Sequence, residues 1–208
     1  LCSACVDSID PPGCKDIDDA LHARRLPNGN IECGVHIADV SYFVKPETAI
    51  DREAGRRATT TYIVEKRLDM LPKLLTTDLC SVCPAVDRFV FSVVWEMTPE
   101  GHAVSVKFHK SIVHSRAKLS YGDAQVFLDD DSLGGEVADS VRMLYGLAMT
   151  FRKRRMEAGA LSLASPEVRF RIDSETADPM AVSMYEHKDT NALVEEFMLL
   201  ANIAVAKK

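Results

Sequence analysis

Four aspartates fall within ten residues near the start of the chain: Asp10, Asp16, Asp18 and Asp19, in Asp10-Pro11-Pro12-Gly13-Cys14-Lys15-Asp16-Ile17-Asp18-Asp19-Ala20. Carboxylates crowded this closely repel one another and resist full ionisation unless something positive sits among them. Pro11-Pro12-Gly13 predicts a tight turn, because proline fixes φ and glycine accepts positive φ. Such a turn folds Asp10 back beside the other three. Hard oxygen donors suit magnesium or manganese, ions that act on phosphates. The stretch is not an EF-hand loop: counted from Asp16, the third alternate ligand position is Ala20, and Leu21 stands where the sharp turn needs glycine. Aspartates on many acidic loops only cap a helix or meet water. The turn and its apolar flanks favour a divalent-cation site.

The next residues say where that site sits. Ala20 to Leu26 reads as an extended run, Pro27-Asn28-Gly29-Asn30 as a hairpin turn, and Ile31 to Val40 as an alternating strand. The hairpin begins at the acidic turn and so puts the carboxylates at a sheet end. His36 and Asp39 could approach the same end. His36 reads as an ordinary strand histidine, and Asp39 fits either role.

Further along, Thr48 is placed to N-cap a helix reaching about Ala58, with Arg52, Arg56 and Arg57 on a solvated face. Tyr62 lies in a β-prone run ahead of Lys66-Arg67, and Leu68 to Leu75 reads as an apolar loop. Arg88 to Met97 and Val104 to Val113 are strand-like. Ser120 caps a helix to about Leu128, and Asp129-Asp130-Asp131 is a polar loop with no turn to converge its acids. A long amphipathic helix spans about Glu136 to Ala158. A strand pair follows at Glu167 to Ile172 and Ala181 to Glu186. Thr190 is the expected cap of a final helix whose Leu193, Val194, Phe197, Leu200 and Ile203 share one face; Glu195 and Glu196 could brace cations. The fold expected is one α+β domain, a mixed or antiparallel sheet with packed helices.

Composition sets limits on function. A net charge of -6 argues against a protein that merely coats nucleic acid, though a local basic channel remains compatible with it. No apolar run approaches a membrane span, and the opening residues are not expected to be a signal peptide. Six cysteines in 208 residues do not resemble a disulfide scaffold, which points to a reducing compartment. Cys2/Cys5 and Cys80/Cys83 could in principle make a zinc site, but their separation far exceeds the usual gap of roughly 15–20 residues. Leu1 at the start and an unfinished helix at the end lead us to expect an excerpt of a longer polypeptide.

Several motifs together resemble the ribonuclease II (RNB) exoribonucleases: Ser8 to His22 around the acidic turn, Gly34-Val35-His36-Ile37-Ala38-Asp39-Val40, Asp69-Met70-Leu71-Pro72, Asp78-Leu79-Cys80-Ser81, Gly159-Ala160-Leu161, Ser165-Pro166-Glu167-Val168, and Leu193 to Asn202. The Pro-Pro-Gly-Cys and Ser-Pro-Glu-Val versions are most similar to the branch of the family that works within the eukaryotic RNA exosome. The resemblance implies the N-terminal two-thirds of an RNB-type catalytic domain. It implies processive 3′→5′ hydrolysis of single-stranded RNA to nucleoside 5′-monophosphates. Asp10, Asp16, Asp18 and Asp19 would hold Mg2+, with Mn2+ as the alternative, and Asp18 and Asp16 would serve catalysis. Asp18 matches a position needed for turnover rather than binding. Tyr62 and Tyr121 match aromatic positions that contact RNA. The implied partners are single-stranded RNA and the other exosome subunits, with no membrane; the implied location is the nucleus and nucleolus, or the cytoplasm.

Two departures accompany the likeness. Leu163 stands near the place where bacterial relatives carry a stacking phenylalanine. The family's later arginine-bearing segment, which helps hold the scissile phosphate, does not occur here, nor do flanking OB-fold domains, so the isolated piece is expected to be inactive. The competing reading is a non-catalytic RNA-binding or assembly module that keeps the fold. A zinc-stabilised interaction domain rests only on the cysteine pairs.

Overall fold

The two extended runs flanking Pro27-Asn28-Gly29-Asn30 become antiparallel strands, and a third strand, not read from the sequence, precedes them. In the computed structural model, which describes residues 5–63, 66–161, 168–172, 179–184 and 187–208, β1 (Val6–Asp10) runs up to the acidic turn. The chain returns beside it as β2 (Asp19–Arg25). The Asn-Gly turn then leads into β3 (Ile31–Ala38), with the Leu26 amide donating to the Asn30 carbonyl at 2.8 Å. A short α1 (Val40–Phe43) precedes α2 (Ala49–Arg57). Thr48 caps α2 as expected, its hydroxyl accepting from the Asp51 amide, and Arg56 and Arg57 both pair with Glu53 on the solvated face. Two very short strands, β4 (Thr61–Tyr62) and β5 (Arg67–Leu68), form a separate hairpin. The apolar loop expected over Leu68 to Leu75 leads into a π-helical turn at Leu75–Leu79.

β6 (Asp87–Met97) pairs with β3, and β7 (Ala103–Ser120) pairs with β6. The sequence suggests a strand ending near Val113, yet β7 runs 18 residues. Its second half continues because it finds a second partner, pairing in parallel with β1 from Val6↔Ser115 to Asp10↔Ser120. That pairing closes the sheet into a five-stranded barrel, β1-β2-β3-β6-β7.

Alternation then sorts side chains by face. Leu21, Ala23, Cys33, Val35, Val93 and Trp95 pack outward against the helices, forming the larger core with Leu144, Leu147, Leu193 and Phe197. Val6, Ala20, Ala38, Val90 and Val113 fill the other face with Ile17, Cys80 and Val82. Each fully buried Leu, Val or Phe here contributes on the order of 1.5–3 kcal/mol.

The covering helices are α3 (Tyr121–Asp129), α4 (Glu136–Glu157) and, beyond an antiparallel pair β8 (Val168–Ile172) and β9 (Pro179–Met184), α5 (Asp189–Ala206). Ser120 closes a reciprocal capping box with Asp123, as a Ser at this position favours. The sequence reading puts the cap of α5 at Thr190. Instead Thr190 is fully buried inside the first turn, its hydroxyl donating to the Tyr121 carbonyl at 2.8 Å, and so ties α5 to α3. Glu196, also buried, meets Arg155 of α4 through two guanidinium nitrogens at 2.5 and 3.3 Å, which keeps its charge from standing unpaired.

Cys80 and Cys83 belong to the smaller core, and Cys5 lies against Asp7. Cys2, Leu163 and the Ser165-Pro166-Glu167 motif lie outside the described residues. No helix among the described residues is long and apolar enough to cross a membrane.

Candidate active site

The acidic stretch is stitched into the fold by its backbone. Gly13 adopts φ of +78°, and the Cys14 amide donates to the Pro11 carbonyl at 3.1 Å, which makes the predicted turn. Ile17 is fully buried, and its amide donates to Ser81 Oγ at 3.0 Å; the same hydroxyl donates to the Lys15 carbonyl at 3.0 Å. Val82 and Ala38 amides donate to the Ile17 and Asp18 carbonyls at 2.9 and 2.8 Å. Ile17 is pinned into the core, while Asp16 and Asp18 on either side of it line the cavity. Lys118 of β7 reaches over to donate to the Cys14 carbonyl.

All four aspartates open on one cavity of about 970 Å³ at this end of the barrel. Its walls carry Tyr62, Arg67, Asp69, Tyr121 and the lysines Lys15, Lys66 and Lys73. The floor is acidic and the walls are mixed aromatic and basic.

Three of the carboxyls are pushed toward protonation. Asp10 is 7% exposed, and burial followed by the charge of Asp18 raises it. Burial, then Asp10 and Asp18, carry Asp19 up to about 7. Asp18 is open to the cavity by surface area, yet desolvation by the surrounding walls still raises it, with Asp16 adding and Arg67 opposing. Asp10 Oδ2 is buried without a hydrogen-bond partner. These groups fit a magnesium ion: hard oxygen donors, mutually repelling, one of them orphaned. Among the described residues no three His, Cys, Asp or Glu side chains converge as a ready-made cage. Magnesium does not require one, since it keeps several waters and takes one or two carboxylates.

The cavity gathers every site residue expected from sequence: Asp10, Asp16, Asp18, Asp19, Tyr62 and Tyr121. His36 and Asp39 do not join them. His36 is buried in the barrel, bonded to His22 and Ser92, and Asp39 is held by Lys110 at 2.9 Å and by the Ser41 hydroxyl at 2.6 Å. Sequence reasoning missed Arg67, Asp69 and Ser81. The basic pair after Tyr62 and the Asp69-Met70-Leu71-Pro72 motif signal the first two. Ser81 ends the Asp78-Leu79-Cys80-Ser81 motif, but its side-chain partners on the acidic segment lie more than sixty residues away.

An RNB domain model matches residues 1–208, the whole chain. The chain belongs to the RNB domain family. It is 54% identical over 204 residues to the human exosome complex exonuclease RRP44, covering 98% of this chain and 21% of that protein. It is 56% identical over 201 residues to the exosome complex exonuclease dis3 of Schizosaccharomyces pombe, covering 97% and 21%. The chain thus spans about a fifth of the length of these relatives. Mycoplasma genitalium RNase R, solved in complex with ribose methylated single-stranded RNA, superposes with a TM-score of 0.91 at 26% identity over 99% of this chain and 32% of that one. The α+β architecture read from sequence is therefore that of an RNB domain, with the sheet closed into a barrel.

Proposed function

We propose that this RNB domain carries the acidic centre of a 3′→5′ exoribonuclease that shortens single-stranded RNA processively to nucleoside 5′-monophosphates. We further propose that it acts as part of a longer polypeptide, within an RNA exosome, in the nucleus and nucleolus or the cytoplasm. The observation that carries the reading is the one cavity in which four aspartates face two tyrosines and several cations. The names and RNA complex of its relatives support the same direction.

Asp10 and Asp19 are best placed to hold Mg2+, or Mn2+, with Asp16 and Asp18 completing the acidic set. When bound, such an ion polarises a scissile phosphate and favours in-line attack by water. The chain's own groups do the rest. Asp18, open to the cavity, orients the attacking water and accepts its proton at a carboxylate oxygen. Tyr62 and Tyr121 offer ring faces to bases, a sequence-tolerant contact that suits degradation of any RNA. Lys15, Lys66 and Lys73 attract the phosphate backbone toward the acidic floor. Ser81 fixes the segment bearing Asp16 and Asp18, so the carboxylates need not reorganise during the step.

The test is shortening of 5′-labelled single-stranded RNA with Mg2+ by the complete polypeptide that carries this domain. Progressive loss of 3′ nucleotides is expected. Binding without shortening would instead favour a non-catalytic RNA-binding or assembly module. The 208-residue piece alone is expected to be inactive, and magnesium-dependent turnover by it would contradict the need for the later arginine segment.

A further inference from the structure

The hairpin of β4 and β5 is too small to hold itself in place, because two-stranded ribbons are marginal in water. Its register sets Tyr62 opposite Arg67. Both reach the same carboxylate. The Tyr62 hydroxyl donates to Asp16 Oδ2 at 2.8 Å, while Arg67 Nη1 lies 2.7 Å from Asp16 Oδ1. Arg67 Nε lies 2.6 Å from Asp69 Oδ1. The ring of Tyr62 remains open, the residue being 67% exposed. The ion pairs beneath it are largely shielded: the side chains of Arg67, Asp16 and Asp69 are 20%, 17% and 10% exposed. Shielded pairs of this kind hold geometry better than solvated ones.

We infer that Arg67 is a positioning residue, whose fork between Asp16 and Asp69 fixes the stacking ring of Tyr62 relative to the acidic centre. This rests on the exoribonuclease reading. Two guanidinium nitrogens are ion-paired to carboxylates on two different segments, so the hairpin's height above Asp16 is set by both contacts together. The Tyr62 hydroxyl takes the second oxygen of Asp16, and the hairpin and carboxylate move as one body. A base stacked on Tyr62 then stands at a fixed distance from the carboxylates, which is what positioning contributes to a hydrolytic step.

The experiment uses the complete polypeptide with Mg2+. Single-turnover shortening of labelled RNA is measured alongside the fluorescence of 2-aminopurine at the RNA 3′ end, which reports stacking. Arg67→Gln should slow shortening by roughly tenfold to a hundredfold and weaken the stacking signal. Tyr62→Phe, which keeps the ring but loses the bond to Asp16, should give a smaller loss. The double variant should be no slower than Arg67→Gln within about threefold, because both changes break one linkage. Losses that multiply would overturn the inference, as would an unaffected Arg67→Gln. Arg67→Lys keeps charge without the fork and should remain impaired; full recovery would mean that charge alone matters. Should Arg67→Gln not fold, Asp69→Asn removes one arm of the fork. It should lower the rate without lowering the melting temperature, and an unchanged rate would sink the proposal. If the unsubstituted protein binds RNA but never shortens it, the exoribonuclease reading falls, and the stacking signal alone decides the role of Arg67.

Discussion

Two sets of polar groups, one inside the barrel and one at its acidic end, meet opposite fates. In the barrel interior His22 and His36, each 1% exposed, share a hydrogen bond of 2.7 Å. His36 Nδ1 continues to Ser92 Oγ at 2.7 Å, and Ser92 to Ser111 at 2.6 Å. Glu32 Oε1 stands 3.6 Å from His22 Nε2 at the other end, beyond hydrogen-bond reach, so that buried nitrogen has a charged neighbour but no hydrogen-bond partner. Burial, and then the proximity of His22, holds His36 well below its ordinary value, so it stays neutral. At the acidic end the groups are not closed on one another: Asp10 Oδ2 has no partner, and besides burial the charge of Asp18 raises Asp10, that of Asp16 raises Asp18, and those of Asp10 and Asp18 raise Asp19. A polar set whose members largely satisfy one another stiffens the fold, whereas one left open among its own charges stores an unmet demand for a ligand.

Substitutions can break or sharpen that contrast. The largest effect is expected from Asp18→Asn, with shortening of labelled RNA falling roughly a hundredfold to a thousandfold while RNA binding persists. Equal shortening by both proteins would remove Asp18 from the centre. Next is Gly34→Ala. A Cβ there would stand 2.4 Å from His22 Cε1, so the stacked histidine pair must shift, at a cost of about 1–3 kcal/mol in urea unfolding. An unchanged midpoint would show that the pair is not tightly packed.

Asp19→Asn should do the reverse and stabilise the protein when divalent ions are removed. The folded value of about 7 exceeds the ordinary 3.8, so between them the folded state holds a proton that the unfolded chain has released. Stability contributed by this group is therefore full below about pH 4, declines as pH rises to about 7, and is level above. The variant should gain about 1–2 kcal/mol at pH 8 and nothing at pH 4; a gain equal at both would exclude this cause. Smallest is Glu32→Gln, at the partly solvated end of the histidine chain, for which chemical unfolding should register less than about 1 kcal/mol.

Much of the fold was legible because its causes are local. The Asn-Gly turn, the caps at Thr48 and Ser120, and the periodicity of α4 each depend on residues a few positions apart. The acidic turn was legible for the same reason. Thr190 misled because a threonine before an apolar run looks like a cap, and only the tertiary contact with Tyr121 shows why it is buried. Asp39 stayed open between two roles for the same reason, since its partner Lys110 lies on β7, 71 positions away. Barrel closure had no local signal: nothing in β1 names Ser115 to Ser120 as its neighbours. Arg67 and Ser81 gain their meaning only once that closure and the hairpin are in place.

The parallel pairing of β1 with β7 also orders events in time. Asp10 is fixed beside Ser120, so residues made near the beginning wait for a strand translated more than a hundred residues later. At about 5–20 residues per second that interval is roughly 5–20 seconds on the ribosome. Until β7 arrives, the aspartates have neither a closed barrel beneath them nor Lys118 across the turn. A nascent chain therefore displays its acidic residues early and acquires the centre they build only late, after the segment that closes the barrel has been translated.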